Sequence, residues 1–177
     1  MLEPYVDIPQ GMPLDQWCEL NQSRRWGVYY LWQEGVAVED HIARFPRTVA
    51  ALEAWPRCEV PGCSPTAVFS ILDAKTRIPP HTGVSNTRLI VHLPLIVPPG
   101  CGFRVGAERC EWHPGKAFVF DDTFEHEAWN DSDVPRAVLI LDIWSPHLSA
   151  AERELVSRVS GDVSEFYGTG SYHEGGS

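Results

Sequence analysis

The sequence predicts a mainly β protein, built as one antiparallel sandwich or barrel with helices before it and one helix after it. Over residues 66–147, short runs of β-branched and aromatic residues alternate with clusters of Pro, Gly, Asn and Asp, a pattern typical of strands joined by turns. The 15 prolines and 14 glycines are mostly spread along the chain as turn signals. With 177 residues, the chain is long enough for one domain with a core, which we place at residues 1–167.

The N-terminal part of this domain, residues 1–57, is predicted to be largely helical. Residues 13–32 have the pattern of a helix that begins near Pro13 and breaks into an aromatic-rich strand or loop around Gly27. A second helix is predicted over residues 38–55, where large side chains recur near helical spacing and Pro46 must kink or interrupt the helix. Residues 56–65 form a loop by composition.

The β core is predicted at residues 66–147. Its candidate strands are the runs at residues 67–73, 88–95, 103–106, 116–120 and 136–144. The second run, RLIVHLPL, is apolar except for Arg88 and His92, which lie four residues apart and therefore face the same side of a strand. A final helix is predicted over residues 148–160 with Ser149 as its cap, and residues 168–177 are expected to be a disordered tail.

Composition and charge narrow the possible functions. The formal charge of −10 argues against nucleic acid and anionic membranes, because binding to phosphates requires a basic patch. There is no apolar run long enough to span a membrane and no basic region followed by an apolar run at the N-terminus. The five cysteines are expected to be reduced in a cytoplasm, although Cys58 with Cys63, and Cys101 with Cys110, could pair in an oxidising compartment.

Two histidines and one arginine in the β region suggest chemistry. His81 follows Pro79-Pro80 in an expected loop, His126 follows the acidic turn FDDTFE, and Arg136 lies ten residues further on, inside an apolar run. Two imidazoles with open coordination positions suit Fe(II). The planar guanidinium of a buried arginine suits a carboxylate, such as the far end of a keto acid like 2-oxoglutarate.

The third coordination position of such a metal is unusual. Many iron oxygenases carry a carboxylate two residues after the first histidine, but Gly83 stands at that position here. Water could fill the position, or chloride in a halogenase. Asp121 and Asp122 are close enough in sequence to His126 to order a bound water.

The ordered motifs IPPHTGVSNTRLIVHLPL, GCGFRVG, GKAFVFDDTFEHEAWN and PRAVLILDIWSPHLS resemble the aspartyl/asparaginyl β-hydroxylase family over roughly residues 66–149. The resemblance implies a double-stranded β-helix, the cupin-like jelly roll, that uses Fe(II), 2-oxoglutarate and O2 and lacks the usual ligand carboxylate. It implies these roles: His81 and His126 as iron ligands, Asp122 beside the metal, Ser70, His92 and Arg136 as 2-oxoglutarate ligands, and Arg88 and Trp129 at the substrate.

One departure from the family pattern concerns the substrate. Relatives that act on aspartyl side chains carry a second arginine two residues after the first, where this chain has Ile90. We therefore expect hydroxylation of an amino acid, a peptide or an amino-acid-derived biosynthetic intermediate, coupled to decarboxylation of 2-oxoglutarate to succinate. The alternatives are a non-haem iron halogenase and a non-catalytic cupin-like module that binds a metal or ligand.

Overall fold

The computed structural model describes residues 2–4, 25–83 and 85–167. The strands in these residues are β1 (Glu3–Pro4), β2 (Trp26–Gln33), β3 (Val36–Ala37), β4 (Ala67–Leu72), β5 (Thr76–His81), β6 (Arg88–Ile96), β7 (Cys101–Val105), β8 (Glu108–Cys110), β9 (Phe118–Phe120), β10 (His126–Asn130) and β11 (Arg136–Trp144). The helices are α1 (Glu39–Ile42), α2 (Pro46–Glu53) and α3 (Ala150–Tyr167).

The strands form two antiparallel sheets. The seven-stranded sheet has the order β1-β2-β4-β11-β6-β9, with β3 paired to β2, and the four-stranded sheet has the order β5-β10-β7-β8. Strands β4 and β6 both flank β11, which pairs through residues 136–141 with the first and through residues 137–144 with the second. This architecture confirms the predicted mainly β jelly roll.

The side chains of the seven-stranded sheet alternate between two apolar clusters, as expected for strands with both faces covered. The inner cluster joins the two sheets and contains Trp26, Leu72, Ile78, Phe103, Trp112, Ala128 and Val138. The outer cluster lies beneath the short helices and contains Leu31, Trp32, Leu52, Ala67, Val91, Leu139 and Leu141. The strand positions of Arg88, His92 and Arg136 alternate with outer-cluster residues, so their side chains face the interior of the jelly roll.

The N-terminal region differs in part from the prediction. The interrupted helix at residues 38–55 is confirmed as α1 and α2, with Pro46 starting α2, where proline's missing amide proton costs no helical hydrogen bond. The break predicted around Gly27 is confirmed as strand β2, over residues 26–33, within an N-terminal part that was otherwise described as largely helical. Their aromatic and β-branched residues favour a strand, and pairing with β4 outweighs any helical tendency. The helix expected before this strand, at residues 13–24, lies outside the described residues.

The C-terminal helix is confirmed and runs further than predicted, to Tyr167. Ser149 caps it as expected: the Ser149 hydroxyl accepts from the amide of Glu152, whose carboxylate accepts from the Ser149 amide at 2.7 Å. The predicted tail at residues 168–177 lies outside the described residues. Within the described part of the chain, no helix is long and apolar enough to cross a membrane, and Cys58, Cys63, Cys101 and Cys110 are unpaired thiols.

Candidate active site

His81 and His126 lie side by side at the adjoining ends of strands β5 and β10 in the four-stranded sheet. His81 is the last residue of β5 and His126 the first of β10, and the two residues are direct cross-strand partners. Their ring centroids are 4.0 Å apart. The loop position expected for His81 is therefore corrected to a strand end, where pairing of the two strands fixes the separation of the rings. The two imidazoles can reach a single metal ion.

Each ring is oriented by a hydrogen bond to the chain two residues earlier. Nδ1 of His81 lies 2.8 Å from the carbonyl oxygen of Pro79, and Nδ1 of His126 lies 2.9 Å from that of Phe124. Because a carbonyl oxygen can only accept, Nδ1 carries the proton and Nε2 of each neutral ring carries the lone pair that a metal would take. Burial, together with the neighbouring His126, lowers the pKa of His81 to about 4, which keeps the ring in the neutral, metal-binding form.

Asp122, in the connection between β9 and β10, occupies the space beside Gly83, the position where many iron oxygenases carry a carboxylate. A Cβ atom on Gly83 would overlap the carboxyl group of Asp122, and the Gly83 amide donates to the Asp122 backbone oxygen at 2.6 Å. Oδ2 of Asp122 is 3.3 Å from Nη2 of Arg88, and burial raises the pKa of this carboxyl group. Thus Asp122 lies where a side chain at residue 83 would otherwise extend, and it is paired with Arg88.

A buried cation lies deeper in the jelly roll. Arg136 is 1% exposed, and its guanidinium carbon lies 4.5 Å from the centroid of the Trp112 ring. Among the described residues, neither Nε nor Nη2 of this side chain has a hydrogen-bond partner. Burial lowers the pKa of Arg136 to about 9. Buried guanidinium groups are normally paired, so this one is suited to receive an anionic ligand.

His92 lies between this cation and the histidine pair. Its pKa is held well below the usual value by burial, with further lowering by the charges of Arg136 and His126, so the ring is neutral. Its buried Nδ1 has no hydrogen-bond partner in the described part of the chain. Aromatic rings surround it at centroid distances of 5.0 to 6.0 Å, namely those of Phe103, Trp112, Phe118 and Phe120. A polar atom with no partner in an apolar wall indicates a place for a ligand.

Ser70 lies on the inward face of β4, the strand next to Arg136. It is 1% exposed and pairs across the sheet with Val138, two residues beyond Arg136. Its hydroxyl oxygen accepts a hydrogen bond from the indole nitrogen of Trp26 at 3.1 Å. Because that bond uses the oxygen as acceptor, the hydroxyl proton can be donated to a bound anion.

Trp129 does not belong to this interior, which corrects its expected role at the substrate. In β10 the buried residues are 126, 128 and 130, so residue 129 points to the outer face. Its ring covers Gly102, where a Cβ atom would overlap the indole, and the guanidinium groups of Arg77 and Arg109 lie 5.6 and 5.5 Å from its centroid. The physical reason is the two-residue period of a strand, which places His126 and Trp129 on opposite faces.

The sequence did not identify one residue that supports His126. The Arg104 side chain donates to the carboxylates of Glu127 and Glu125 and to the carbonyl oxygen of Gly106. These bonds connect Glu125 and Glu127, the residues on both sides of His126, to β7 and to Gly106 in the turn after it. The motif GCGFRVG contains this arginine, but only the strand pairing of Arg104 with Glu127 shows what it contacts.

The residues present fit a metal held by two histidines. No group of three or more His, Cys, Asp or Glu side chains suited to a metal occurs in residues 2–4, 25–83 and 85–167, which agrees with a site completed by small ligands. The unpartnered Arg136 and His92 groups fit a second ligand with carboxylates. The predicted residues His81, His92, Asp122, His126 and Arg136 are thus brought to one interior, with Ser70 and Arg88 on its strands.

The two antiparallel sheets define this protein as a member of the jelly-roll class, and comparison with known proteins identifies its family. The family profile for aspartyl/asparaginyl beta-hydroxylase matches residues 9–146. The chain belongs to the aspartyl/asparaginyl β-hydroxylase family.

Two relatives illustrate the range of the family. The aspartyl/asparaginyl beta-hydroxylase of Homo sapiens is 37% identical over 150 residues, which cover 84% of this chain and 20% of the relative. The ornithine lipid ester-linked acyl 2-hydroxylase of Rhizobium tropici is 39% identical over 135 residues, 75% of this chain and 46% of the relative. The chain thus spans less than half the length of either relative. Among solved structures, the cupin domain of Schizosaccharomyces pombe Cnp3 matches with a TM-score of 0.44 and 11% identity over 96% of this chain and 80% of that one.

Proposed function

We propose that this protein is an Fe(II)- and 2-oxoglutarate-dependent hydroxylase. Its substrate is an amino acid, a peptide or an amino-acid-derived biosynthetic intermediate. Membership of the β-hydroxylase family supports the reaction type. We also propose a cytoplasmic location, where thiols stay reduced.

The observation that carries this proposal is the buried guanidinium of Arg136, whose Nε and Nη2 have no hydrogen-bond partner among the described residues. A buried cation without an internal anion is costly, and a dicarboxylate ligand would relieve that cost. The side chain lies deep in the same interior that holds the histidine pair at its edge. The distal carboxylate of 2-oxoglutarate would meet Arg136 and the hydroxyl of Ser70.

The remaining groups have complementary roles. His81 and His126 would hold the iron through Nε2, and the neutral His92 ring would bond the carboxylate next to the keto group. Asp122 would accept a hydrogen bond from a water near the metal, because its buried Oδ1 has no partner in the described residues. The rings around His92 exclude bulk water from the interior.

When bound, iron and 2-oxoglutarate supply the oxidising chemistry: with O2, the keto acid becomes succinate and CO2, and a substrate C–H becomes C–OH. The protein contributes position and a dry environment. The hydrogen bonds at Nδ1 of His81 and His126 orient both rings so that Nε2 would hold the iron, and Arg136, Ser70 and His92 would orient the keto acid by its carboxylates.

The test is to incubate the Fe(II)-loaded protein with 2-oxoglutarate and candidate amino acids and peptides, following succinate by NMR. We expect succinate whose formation depends on substrate and is abolished in His126→Ala, with circular dichroism to verify that the variant is folded, because the His126 ring packs against Phe103 and Phe120. Absence of substrate-dependent succinate would count against the proposal. A chlorinated product in chloride buffer would indicate a halogenase instead, and failure to bind 2-oxoglutarate would favour a cupin-like binding module.

A further inference from the structure

The substrate side of the interior is lined by the outer half of β6. Arg88, Ile90 and His92 share one face of this strand, with His92 deepest and Arg88 at the end beside Asp122. Ile90 pairs with Phe120 of β9 on one side and with Asp142 of β11 on the other. The Phe120 ring packs edge-on against His126 at 5.2 Å. The wall next to the metal-binding histidines is therefore apolar.

Arg88, the cation at this end, is already paired. Its Nη2 lies 3.3 Å from Oδ2 of Asp122, and the two side chains are 25% and 9% exposed. A second acid, Asp142, lies on the same inward face next to Ile90. Its carboxylate accepts from the hydroxyl of Ser64 at 2.6 Å and the amide of Thr66 at 3.0 Å, with no cation among these partners.

The two ends of the interior therefore differ in their charge. At the deep end Arg136 has two donors without partners in the described residues, whereas at the outer end one arginine faces two carboxylates. An anionic substrate group would compete with Asp122 for Arg88 and would approach Asp142, and both effects oppose its binding. An apolar group would displace only water from Ile90 and Phe120.

We infer that the substrate group that enters beside Ile90 is apolar and uncharged, and that Ile90 and the Arg88–Asp122 pair determine this preference. The inference rests on the proposed function and names its substrate class. Arg88 then pairs with Asp122 of the protein itself and not with a carboxylate of the substrate.

The experiment uses protein loaded with Mn(II) and 2-oxoglutarate, which permits binding without turnover. The probes are N-acetyl-leucinamide and N-acetyl-aspartamide, whose side chains differ in charge but little in size. Broadening of probe NMR signals by Mn(II) reports binding next to the metal. We expect the leucine probe to bind about tenfold more tightly than the aspartate probe.

Two variants test the cause of the preference. Asp122→Asn releases the charge of Arg88, so we expect it to raise the affinity for the aspartate probe relative to that for the leucine probe. The matched control is Asp121→Asn, which removes the same charge from a carboxylate bonded to Thr123 and is expected to preserve the wild-type ratio. Ile90→Arg adds a second cation on this face, next to Asp142, and it should also favour the aspartate probe.

Three outcomes would overturn the inference. In the first, the aspartate probe binds wild-type protein at least as tightly as the leucine probe does. In the second, neither Asp122→Asn nor Ile90→Arg increases the affinity for the aspartate probe. In the third, neither probe binds protein that holds 2-oxoglutarate. Binding of 2-oxoglutarate is measured first in every variant. If wild-type protein does not bind it, the proposed function itself fails, which is a separate result.

Discussion

At the scale of single residues, the site depends on histidines that stay neutral inside the protein. His81 combines a buried ring, a second ring 4.0 Å away and a hydrogen bond that fixes the proton on Nδ1. A protonated ring would repel both the neighbouring histidine and a metal cation. The same burial that prepares the ring for metal binding therefore makes the metal-free protein sensitive to acid.

The first prediction concerns this sensitivity. Burial, with His126 as the second cause, lowers the pKa of His81 from 6.5 to about 4. Between these values the unfolded chain holds a proton that the folded protein lacks, so stability increases with pH across this window. As pH falls from 6.5 towards 4, we expect the metal-free protein to lose on the order of 1–2 kcal/mol from this group, allowing for solvent screening.

Urea denaturation of the metal-free protein at several pH values measures this effect. His81→Asn should flatten the dependence without removing it, because the pKa of His92 is lowered in the same direction. His113→Asn, at an exposed histidine, is the control and should leave the slope as in wild type. An unchanged slope in His81→Asn would show that this ring does not contribute to the acid sensitivity.

The second prediction concerns Gly83. An alanine Cβ at this position would overlap the Asp122 carboxyl group, which Arg88 holds in place. We expect Gly83→Ala to displace that carboxylate and lower the free energy of unfolding by about 1–3 kcal/mol, as overpacking does elsewhere.

Chemical denaturation provides the measurement, with Gly161→Ala as the control. Gly161 lies in α3 with open space around the added methyl group, so alanine there should be neutral or stabilising by about 0.5–1 kcal/mol. If both variants were equally stable, the Asp122 carboxylate would not be held where the structure places it.

At the scale of elements, β10 has a different role on each face. On the inward face lie His126 and Ala128, which is part of the inner cluster. On the outward face, Glu127 binds Arg104 and the Trp129 ring covers Gly102. The Arg104 bonds to Glu125, Glu127 and Gly106 keep the start of this strand in register with β7. The orientation of His126, the proposed metal ligand, thus depends on an ion-pair network on the opposite side of the sheet.

The third prediction tests that dependence. Arg104→Gln should weaken metal binding about tenfold, a size seen when groups that orient metal ligands are removed. Titration with Co(II), followed by its visible absorption, reports affinity and coordination geometry together. Arg104→Lys should restore part of the affinity, since it retains a charge that can reach one carboxylate.

Arg109→Gln is the matched control, because Arg109 lies on the same outer sheet face over Trp129 but makes none of the bonds around His126. Its Co(II) affinity and spectrum should match wild type. If Arg104→Gln also matched wild type in both, the network would be structural only and would not position His126.

The sequence predicts elements where a local pattern dominates. The long apolar strands β4, β6 and β11, the break at Pro46 and the Ser149 cap are all encoded within a few residues. Strands β5, β8 and β10 are short or contain prolines and charges, so pairing with their neighbours decides their structure. The same reason explains why residues around Gly27 were predicted only as a strand or a loop, since pairing with β4 decides that they form β2.

The candidate site shows the same limit. His81, His126 and Arg136 were identified by their order in the chain and by resemblance to the family. Trp129 was placed on the wrong face, although the two-residue period from His126 contained the information. The role of Arg104 depends on contacts between residues more than twenty apart in the chain, which residue spacing does not encode.

At the scale of the whole molecule, the two sheets enclose an interior with chemically different ends. The histidine pair lies at one edge, His92 lies further inside among aromatic rings, and Arg136 lies deepest over Trp112. The aromatic packing keeps water away from the Arg136 guanidinium, whose Nε and Nη2 have no partner among the described residues. This strengthens any electrostatic contact that a ligand makes there. The jelly roll thus encloses, in a single apolar interior, the histidine pair and the arginine to which the proposed function assigns the metal and the 2-oxoglutarate.

The most direct test of this account is calorimetric titration of 2-oxoglutarate into Mn(II)-loaded wild-type protein, Arg136→Gln and Arg77→Gln. The last is the control, an exposed arginine paired with Asp131 on the outer face. The account predicts binding to wild type and the control, and a loss of about 2–5 kcal/mol of binding free energy in Arg136→Gln. Equal affinity in Arg136→Gln and wild type, or no binding to wild type, would contradict it.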